Sequence, residues 1–412
     1  MGGFRVKVFF LGFILSPFCL FELYAAENVS ILLCGDFMLH KGVKRTAMFH
    51  RRCIGGGVSS NNEGFDVPLS ALRPLVAGAD VAFCNLECPL LKAPDNDPYC
   101  FETKGSFWFK APPSVASAMA GLGFDVASIA NNHIDNSGPE GIVSTIEVLQ
   151  REGIRPVGGG KNFDGAHELE TIECKGLKIG FLAYCSSNIG RDINTGDVEK
   201  PHVCRANPLK GASDQFWSDL SRARAKSDFL VLSYHWGPGE YKEKADPRIV
   251  RFARRCIRAG VDLIVGHHPH VLHSMEKYEC SDGRKALIIY SLGNLLSNQS
   301  PRYRPYHPDR NEDKARRREG AAVLVELSKT KASKATKATK ASKVSKGSKV
   351  SGAKIVSVDV HPLWTDNNWY DYVSGREPAR VRVVVIDEEL KRLNRRLKFL
   401  KERRWRIGRA LR

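Results

Sequence analysis

The stretch "VDLIVGHHPHVLHSMEKY", residues 261–278, joins the pattern of a buried strand to the densest group of histidines in the chain. A short aliphatic run stops at His267, and His268 and His270 follow at once. A near-continuous apolar run predicts a strand that is covered on both faces. Neutral imidazole is the commonest metal ligand, although single histidines are also ordinary polar residues. The stretch therefore predicts a buried strand with a candidate metal site at its carboxyl end.

Six further apolar runs share this pattern, and helical patterns lie between several of them. The runs are "VSILLCGDFML", "ADVAFCNLECPL", "FDVASIANNH", "LKIGFLAYCSSN", "DFLVLSYHWG" and "ALIIYSLGN". The helical pattern "PEGIVSTIEVLQREGI" begins with a proline, and "DPRIVRFARRCIRAG" ends in a glycine, which are signals of helix start and helix end. Strands that alternate with helices predict an α/β fold built in layers.

Polar side chains cluster where these runs stop. The carboxyl ends of strands are where ligands bind in open α/β sheets, so residues distant in sequence meet at one rim. Carboxylates, amide oxygens and imidazoles form the donor set that divalent metals require. The residues concerned are Asp36, Glu87, Asn131, Asn132, His133, His235, His267, His268 and His270.

Each of these residues has an ordinary structural alternative. Asp36 alone suits a turn or a helix cap, and Asn132 tolerates the left-handed conformation of a turn. His235 alone suits a core histidine whose hydrogen bonds are satisfied. Their recurrence at the ends of five successive apolar runs favours a metal centre over five separate explanations.

The motifs "GDFML", "NLECPL", "ANNH", "HWGPGEY", "GHHPHV" and "YSLGN" resemble, in content and order, those of the capsule-synthesis CapA family. That family belongs to the calcineurin-like metallophosphoesterase superfamily. The resemblance covers about residues 31–298. It implies an α/β fold of the four-layer α/β/β/α sandwich type, in which two β-sheets pack face to face and helices cover them.

The resemblance also implies one or two divalent metal ions, with Mn, Fe, Zn and Mg as candidates. The implied ligands are Asp36 and His270 for the first metal, Glu87 as the bridging carboxylate, and Asn132, His235 and His268 for the second. His268 and His270 lie two residues apart, and in an extended segment such residues share one face.

The implied catalytic residues are His133, in the general-acid position, and Asp36. The residues expected to support the site are His40, Asn131, Asp135, His267 and Asn294. Two departures from the superfamily weaken the first metal position. Met38 stands where phosphoesterases carry the histidine of Asp-x-His, and Glu87 replaces an aspartate. His40 is the candidate substitute for the missing imidazole.

A third departure concerns the partner of His133. The family usually has an aspartate three residues after this histidine, whereas here Asn136 holds that position and Asp135 comes one place earlier. The residue that orients His133 is therefore left open.

The formal charge of +18 is confined to two segments. Residues 328–354 hold nine lysines and no acid, and residues 391–412 hold eleven basic residues and one glutamate. The rest of the chain is close to neutral. Nucleic-acid binding is disfavoured because no recognition motif or interleaved aromatic residue accompanies this charge.

The chain divides into segments of different character. Residues 1–26 resemble a signal peptide or N-terminal anchor, which predicts an exported protein that is periplasmic or extracytoplasmic, with membrane association left open. Residues 27–386 form the CapA-like domain, interrupted by a Lys-rich insertion at 328–354 that is predicted to be disordered. Residues 387–412 predict a basic amphipathic helix, which either contacts a membrane surface or packs back on the body.

Two functions remain open at this stage. The first is a metal-dependent phosphoesterase-like hydrolase linked by resemblance to capsule or poly-γ-glutamate polymer synthesis or export. The alternative is a non-catalytic component of a capsule export assembly that binds an anionic polymer. The expected partner is accordingly an anionic polymer or a phosphoester substrate.

Overall fold

The computed structural model describes residues 28–53, 61–101, 108–186, 193, 196–237, 239–307, 310–330, 352–392 and 397–412. The predicted signal segment 1–26 lies outside these ranges, as do residues 331–351 of the Lys-rich insertion. Within the described ranges, no helix combines the length and the apolar character that a bilayer crossing requires.

The strands lie, in chain order, at β1 (Val29–Phe37), β2 (Val81–Leu86), β3 (Val126–Ser128), β4 (Arg155–Val157), β5 (Gly159–Gly160), β6 (Glu170–Cys174), β7 (Leu177–Cys185), β8 (His202–Val203), β9 (Phe229–His235), β10 (Leu263–His267), β11 (Leu272–Glu279), β12 (Lys285–Leu292), β13 (Asn294–Leu296), β14 (Glu319–Lys329), β15 (Ala353–Asn367) and β16 (Val381–Val385).

The α-helices lie at α1 (Lys41–Cys53), α2 (Arg73–Ala77), α3 (Ser114–Leu122), α4 (Gly138–Arg151), α5 (Phe163–Ala166), α6 (Asp214–Lys226), α7 (Pro247–Arg258), α8 (Glu312–Arg316), α9 (Trp369–Val373), α10 (Ile386–Leu390) and α11 (Leu397–Ala410). Short 3₁₀ helices occupy Val67–Leu72 and Ile134–Ser137.

Two large sheets form the centre of the fold. The first has the strand order β16-β15-β14-β1-β2-β3-β4, with β13 paired beside β1, and the second has the order β11-β12-β10-β9-β7-β6. The neighbours β1 and β2, and likewise β9 and β10, are parallel. The carboxyl ends of each pair therefore lie at the same edge of their sheet.

The apolar runs form strands because both of their faces are buried. In β9, Val231 belongs to the core cluster between the sheets, whereas Leu230 and Leu232 belong to a second cluster beneath α6 and α7. Across the interface, the rings of Phe83 in β2 and Phe181 in β7 stack at a centroid distance of 6.3 Å. The two sheets are thus packed face to face.

Helices complete the layers on both sides. The helices α6 and α7 cover the second sheet, and α1, α3 and α4 bury their apolar residues in the cluster of the first sheet. The predicted four-layer α/β/β/α sandwich is confirmed.

The Lys-rich insertion and the C-terminal segment are both attached to the first sheet. β14 and β15 pair antiparallel as far as Lys329 and Ala353, so the insertion connects two neighbouring strands. Leu400 and Ile407 of α11, and Leu411 directly after it, are buried in the core cluster. The aliphatic stripe therefore packs on the body, the second of the two sequence alternatives, and membrane contact remains a prediction for the outward basic face alone.

Candidate metal centre

Four strand ends, two from each sheet, converge on one site. Asp36 lies one residue before the end of β1, and Glu87 directly follows β2. His235 ends β9, while His268 and His270 follow β10. The predicted ligands thus come from strand ends that the packing of the two sheets brings together.

The donor atoms form two groups that share one carboxylate. Asp36, Glu87 and His270 make the first group, and Glu87, His235 and His268 make the second. Within each group the candidate ligand atoms all lie within 4.8 Å of one another. Glu87 is therefore placed between the two groups, which is the position of the bridging ligand implied by the resemblance.

Glu87 is fully buried, and among the described residues neither of its carboxylate oxygens has a hydrogen-bond partner. The nearest cationic candidates are the Nε2 atoms of His235 and His270, at 3.5 and 3.8 Å from Oε1. An unsatisfied buried carboxylate is costly to a folded protein. A divalent cation among these groups would remove that cost, so the donor set fits a metal site.

Asn132 joins the second group through His235. Its Oδ1 atom lies 2.7 Å from His235 Nε2, and His268 Nδ1 lies 3.1 Å from the same nitrogen. The amide oxygen, two imidazoles and Glu87 therefore surround one point, as the predicted second ligand set requires.

The histidines after β10 reach the site through left-handed backbone. His268 has a φ of 94° and His270 a φ of 55°, a conformation uncommon for residues other than glycine. The backbone N–H of His268 also donates to Asp36 Oδ2 at 3.1 Å. The expectation that an extended segment directs both rings is wrong, since strained backbone places them instead.

The pKa values of the two carboxyl groups in the site shift in opposite directions. Burial raises the pKa of Glu87 well above its usual range, although His270 partly opposes the shift. Burial also disfavours ionised Asp36, but the imidazoles of His267 and His270 outweigh it and hold its pKa well below the usual range.

The pKa values of the imidazoles also shift in opposite directions. Burial opposes protonation of His270, but Glu87 and Asp36 outweigh it and raise its pKa to about 9. Burial lowers the pKa of His268 to about 4 and that of His235 well below its usual value. Protons held on Glu87 and His270 are those that a bound cation would displace, because metal ligands must be deprotonated.

His133 lies beside the second group and is oriented by an amide. Its Nδ1 atom lies 3.1 Å from Asn136 Oδ1, and its ring packs edge-on against Phe109 at 4.6 Å. Asn136, and not Asp135, therefore occupies the orienting position. Burial lowers the pKa of His133 to about 4.

Three of the predicted supporting residues contact the site directly. His270 Nδ1 lies 3.1 Å from Asn294 Oδ1, which leaves Nε2 facing Glu87. Asn131 donates to the carbonyl of Leu86 at 2.9 Å and accepts the backbone N–H of His133. His267 Nδ1 lies 3.1 Å from Asp36 Oδ1, close enough for attraction but outside hydrogen-bond geometry.

His40 is not brought into either donor group of the described residues. Its Nδ1 atom accepts the backbone N–H of Asn298 at 3.2 Å, and its ring packs edge-on against Phe109. Met38, in the place of the missing imidazole, is buried. The first group therefore keeps two carboxylates and a single imidazole.

Asn85 is a site residue that the sequence interpretation missed. It is fully buried, and its Nδ2 atom lies 2.9 Å from Asp36 Oδ1 and 3.3 Å from His235 Nδ1. It thus links a residue of the first group to one of the second. An asparagine inside the apolar run "VAFCNL", two residues before Glu87, is the signal that would have found it.

The two-sheet sandwich and the donor groups at its strand ends define a protein of the metallophosphoesterase type. More narrowly, the sequence model of the family described as "Bacterial capsule synthesis protein PGA_cap" matches residues 30–299, so the chain belongs to that family.

Two curated relatives agree with this assignment. The chain is 28% identical to "Capsule biosynthesis protein CapA" of Bacillus anthracis, over 66% of this chain and 61% of that protein. It is 26% identical to "PGA biosynthesis protein CapA" of Bacillus subtilis, over 67% and 65% respectively. The chain thus spans just over three fifths of the length of these relatives. A solved "novel phosphatase" from Mycoplasma pneumoniae aligns with 84% of this chain and 99% of that one, at 12% identity and a TM-score of 0.42.

Proposed function

We propose that this protein is a metal-dependent phosphoesterase that acts in the synthesis or export of a capsule polymer such as poly-γ-glutamate. The observation that carries the proposal is Glu87, a buried carboxylate without a hydrogen-bond partner among the described residues, shared by two groups of candidate metal ligands. The names of the relatives, which refer to capsule and PGA biosynthesis, support the polymer context.

The chain's own residues suit one or two divalent cations. Asp36 and His270 would hold the first with Glu87, and His235, His268 and Asn132 would hold the second. Bound there, the ions would supply Lewis acidity and lower the pKa of a water molecule to be used as the nucleophile.

His133 is the residue available for proton transfer. Because the amide oxygen of Asn136 accepts a hydrogen bond from Nδ1, the second ring nitrogen is left to exchange a proton with the substrate. An anionic phosphate beside the ring would favour its protonated form. His133 would then donate that proton to the leaving oxygen, as a general acid does.

The site of action follows from the predicted N-terminal segment. If residues 1–26 direct export, the metal centre works outside the cytoplasm, where a capsule polymer is assembled or released. This part of the proposal depends on residues that lie outside the described ranges, and mass analysis of the mature N-terminus tests it.

The decisive experiment combines metal analysis with hydrolysis of p-nitrophenyl phosphate and bis(p-nitrophenyl) phosphate. His268→Ala should lower bound metal and turnover together. His267→Ala is the matched control, since this neighbouring imidazole belongs to neither donor group, and it should keep most of the metal. Equal metal loss from both variants would contradict the ligand assignment.

A wild-type protein that binds metal but hydrolyses neither ester would overturn the hydrolase proposal. That result would favour the non-catalytic alternative, a polymer-binding component of an export assembly.

A further inference from the structure

A groove of about 570 Å³ lies between α11 and the body, beside the start of β11. We call it the tail groove. Its floor includes Val271 and Leu272, which directly follow His270 of the metal centre. Its remaining walls are supplied by α11, by the loop before α7 and by α8. The residues of those walls that the argument uses are Lys244, Arg316, Trp405, Arg406, Arg409 and, directly after α11, Arg412.

The groove carries an excess of positive charge. Its lining includes five cationic side chains and two carboxylates. Both carboxylates are already occupied, because Glu243 pairs with Arg316 and Glu319 pairs with Arg403. In the described part of the chain, no carboxylate forms an ion pair with Lys244, Arg409 or Arg412. Three cations on facing walls therefore lack an anionic partner.

The position of α11 is fixed independently of any ligand. Arg403 is fully buried, and it binds Glu319 and Glu312 at 2.8 Å each. Arg310 binds Glu402 of the same helix. Since these contacts and the buried aliphatic stripe hold the helix, the cations of α11 that line the groove are preorganised for a ligand.

The tail groove shares lining residues with a second cavity that reaches His268 of the metal centre. This second cavity of about 250 Å³ shares Lys244 and Ala245 as walls and is lined on its other side by His268 and Pro269. The two cavities thus lie side by side along the loop before α7. A long ligand seated in the tail groove would have its next segment directed towards the candidate metal site.

We propose that the tail groove binds a linear acidic polymer, a flexible chain with anionic groups repeated along its length. Arginine forks match carboxylate and phosphate groups with paired hydrogen bonds. A concave floor admits a chain, whereas a flat bilayer would meet only the groove's rim. The half-exposed Trp405 ring, with Arg409 stacked over it at 4.8 Å, offers an apolar contact for the polymer backbone.

The test is direct binding of fluorescein-labelled poly-L-glutamate and of polyphosphate to the full chain, by anisotropy, with EDTA present so that the metal centre plays no part. We expect binding that weakens strongly between about 0.1 M and 1 M salt, as screened charge contacts do. Preference for one polymer identifies the anionic group. Hydrolysis is not measured, so a failed phosphoesterase proposal leaves this result unaffected.

The variants separate the groove from general positive charge. Arg409→Glu with Arg412→Glu should weaken binding by at least about tenfold. Lys398→Glu with Lys401→Glu changes charge equally on exposed residues of the same helix that do not line the groove, and it should stay within about twofold. Lys244→Glu tests the opposite wall without altering the helix, and it should also weaken binding.

Two outcomes would overturn the proposal. Equal weakening by the two double variants would show that only the overall charge matters. Binding to phosphatidylglycerol vesicles that the groove variants abolish, with no binding to either polymer, would assign the surface to a membrane instead.

Discussion

Glu87 and Glu319 are both buried glutamates, yet their surroundings are opposite. Both are almost completely inaccessible to solvent, and burial raises the pKa of each. Glu319 receives the guanidinium of Arg403 at 2.8 Å. Glu87 has only imidazole nitrogens at 3.5 Å and beyond, with no hydrogen bond among the described residues.

The comparison separates a buried carboxylate that stabilises the fold from one that is available to a ligand. A buried carboxylate with a well-placed arginine has its desolvation cost offset inside the fold, and its role is to fix α11 on the sheet. A buried carboxylate left without a partner has a cost that only an added ligand can offset. Unsatisfied burial, more than burial itself, is the observation that supports Glu87 as a candidate metal ligand.

The largest expected effect follows from neutralising Glu87. Glu87→Gln keeps the size of the side chain but removes the shared charge, so both donor groups should lose metal. Turnover should fall by about 10⁴-fold, because a metal contributes several kcal/mol of charge stabilisation. The melting temperature in EDTA should not fall, since glutamine keeps the size of the side chain and the carboxyl group it replaces makes no hydrogen bond among the described residues. A clear loss of stability would show that Glu87 is structural, like Glu319.

The second expected effect concerns Glu319 and its partner Arg403. Arg403→Met leaves Glu319 buried without its partner and should cost about 3–5 kcal/mol in the free energy of unfolding, measured by denaturant titration. Adding Glu319→Met should recover much of this loss. Arg404→Met is the matched control, because Arg404 is exposed on the same helix and pairs with Asp387. It should cost less than about 1 kcal/mol.

The double variant Arg403→Met with Glu319→Met distinguishes the charge of Arg403 from its packing, which the single variant cannot do. If Arg403→Met with Glu319→Met remained as unstable as the single variant, the arginine would act through packing against the Phe399 ring, which its guanidinium meets at 5.1 Å, rather than through its charge.

The third expected effect tests proton transfer without touching the metal ligands. His133→Ala should retain bound metal and lose about 10²-fold in turnover, the lower end of general acid–base contributions. Metal content by elemental analysis and turnover on p-nitrophenyl phosphate are measured on the same sample. Loss of metal in parallel with activity would place His133 among the ligands and remove it from the acid–base role.

The sequence predicted the strands and the main donors for one physical reason. Strands covered on both faces must be apolar, so Asp36, Glu87 and His235 stand out at or near their ends. Backbone and packing set the remaining features. The left-handed φ of His268 leaves no sequence pattern in a non-glycine residue. The tail groove exists only because α11 packs beside α8 and the loop before α7, which a helical periodicity cannot specify.

The smallest expected effect comes from Asp246, a partly exposed charge that serves as a reference for both buried ones. It caps α7 by accepting the backbone N–H of Arg248 at 2.8 Å, and the Arg248 guanidinium binds the same carboxylate. Hydrogen bonds from the side chain and the backbone of Arg248 lower the pKa of Asp246 from 3.8 to about 2. Because the folded-state pKa is depressed, this stabilisation is complete above pH 3.8 and is lost as the pH falls towards 2.

Asp246→Ala should therefore cost about 1 kcal/mol at neutral pH, the usual value of a helix cap, and less at about pH 2.5. Asp246→Asn keeps the cap oxygen without the charge and should be milder at neutral pH. A cost for Asp246→Ala that stayed constant across this pH range would show that the charge of Asp246 contributes nothing, in contrast to Glu319 and Glu87.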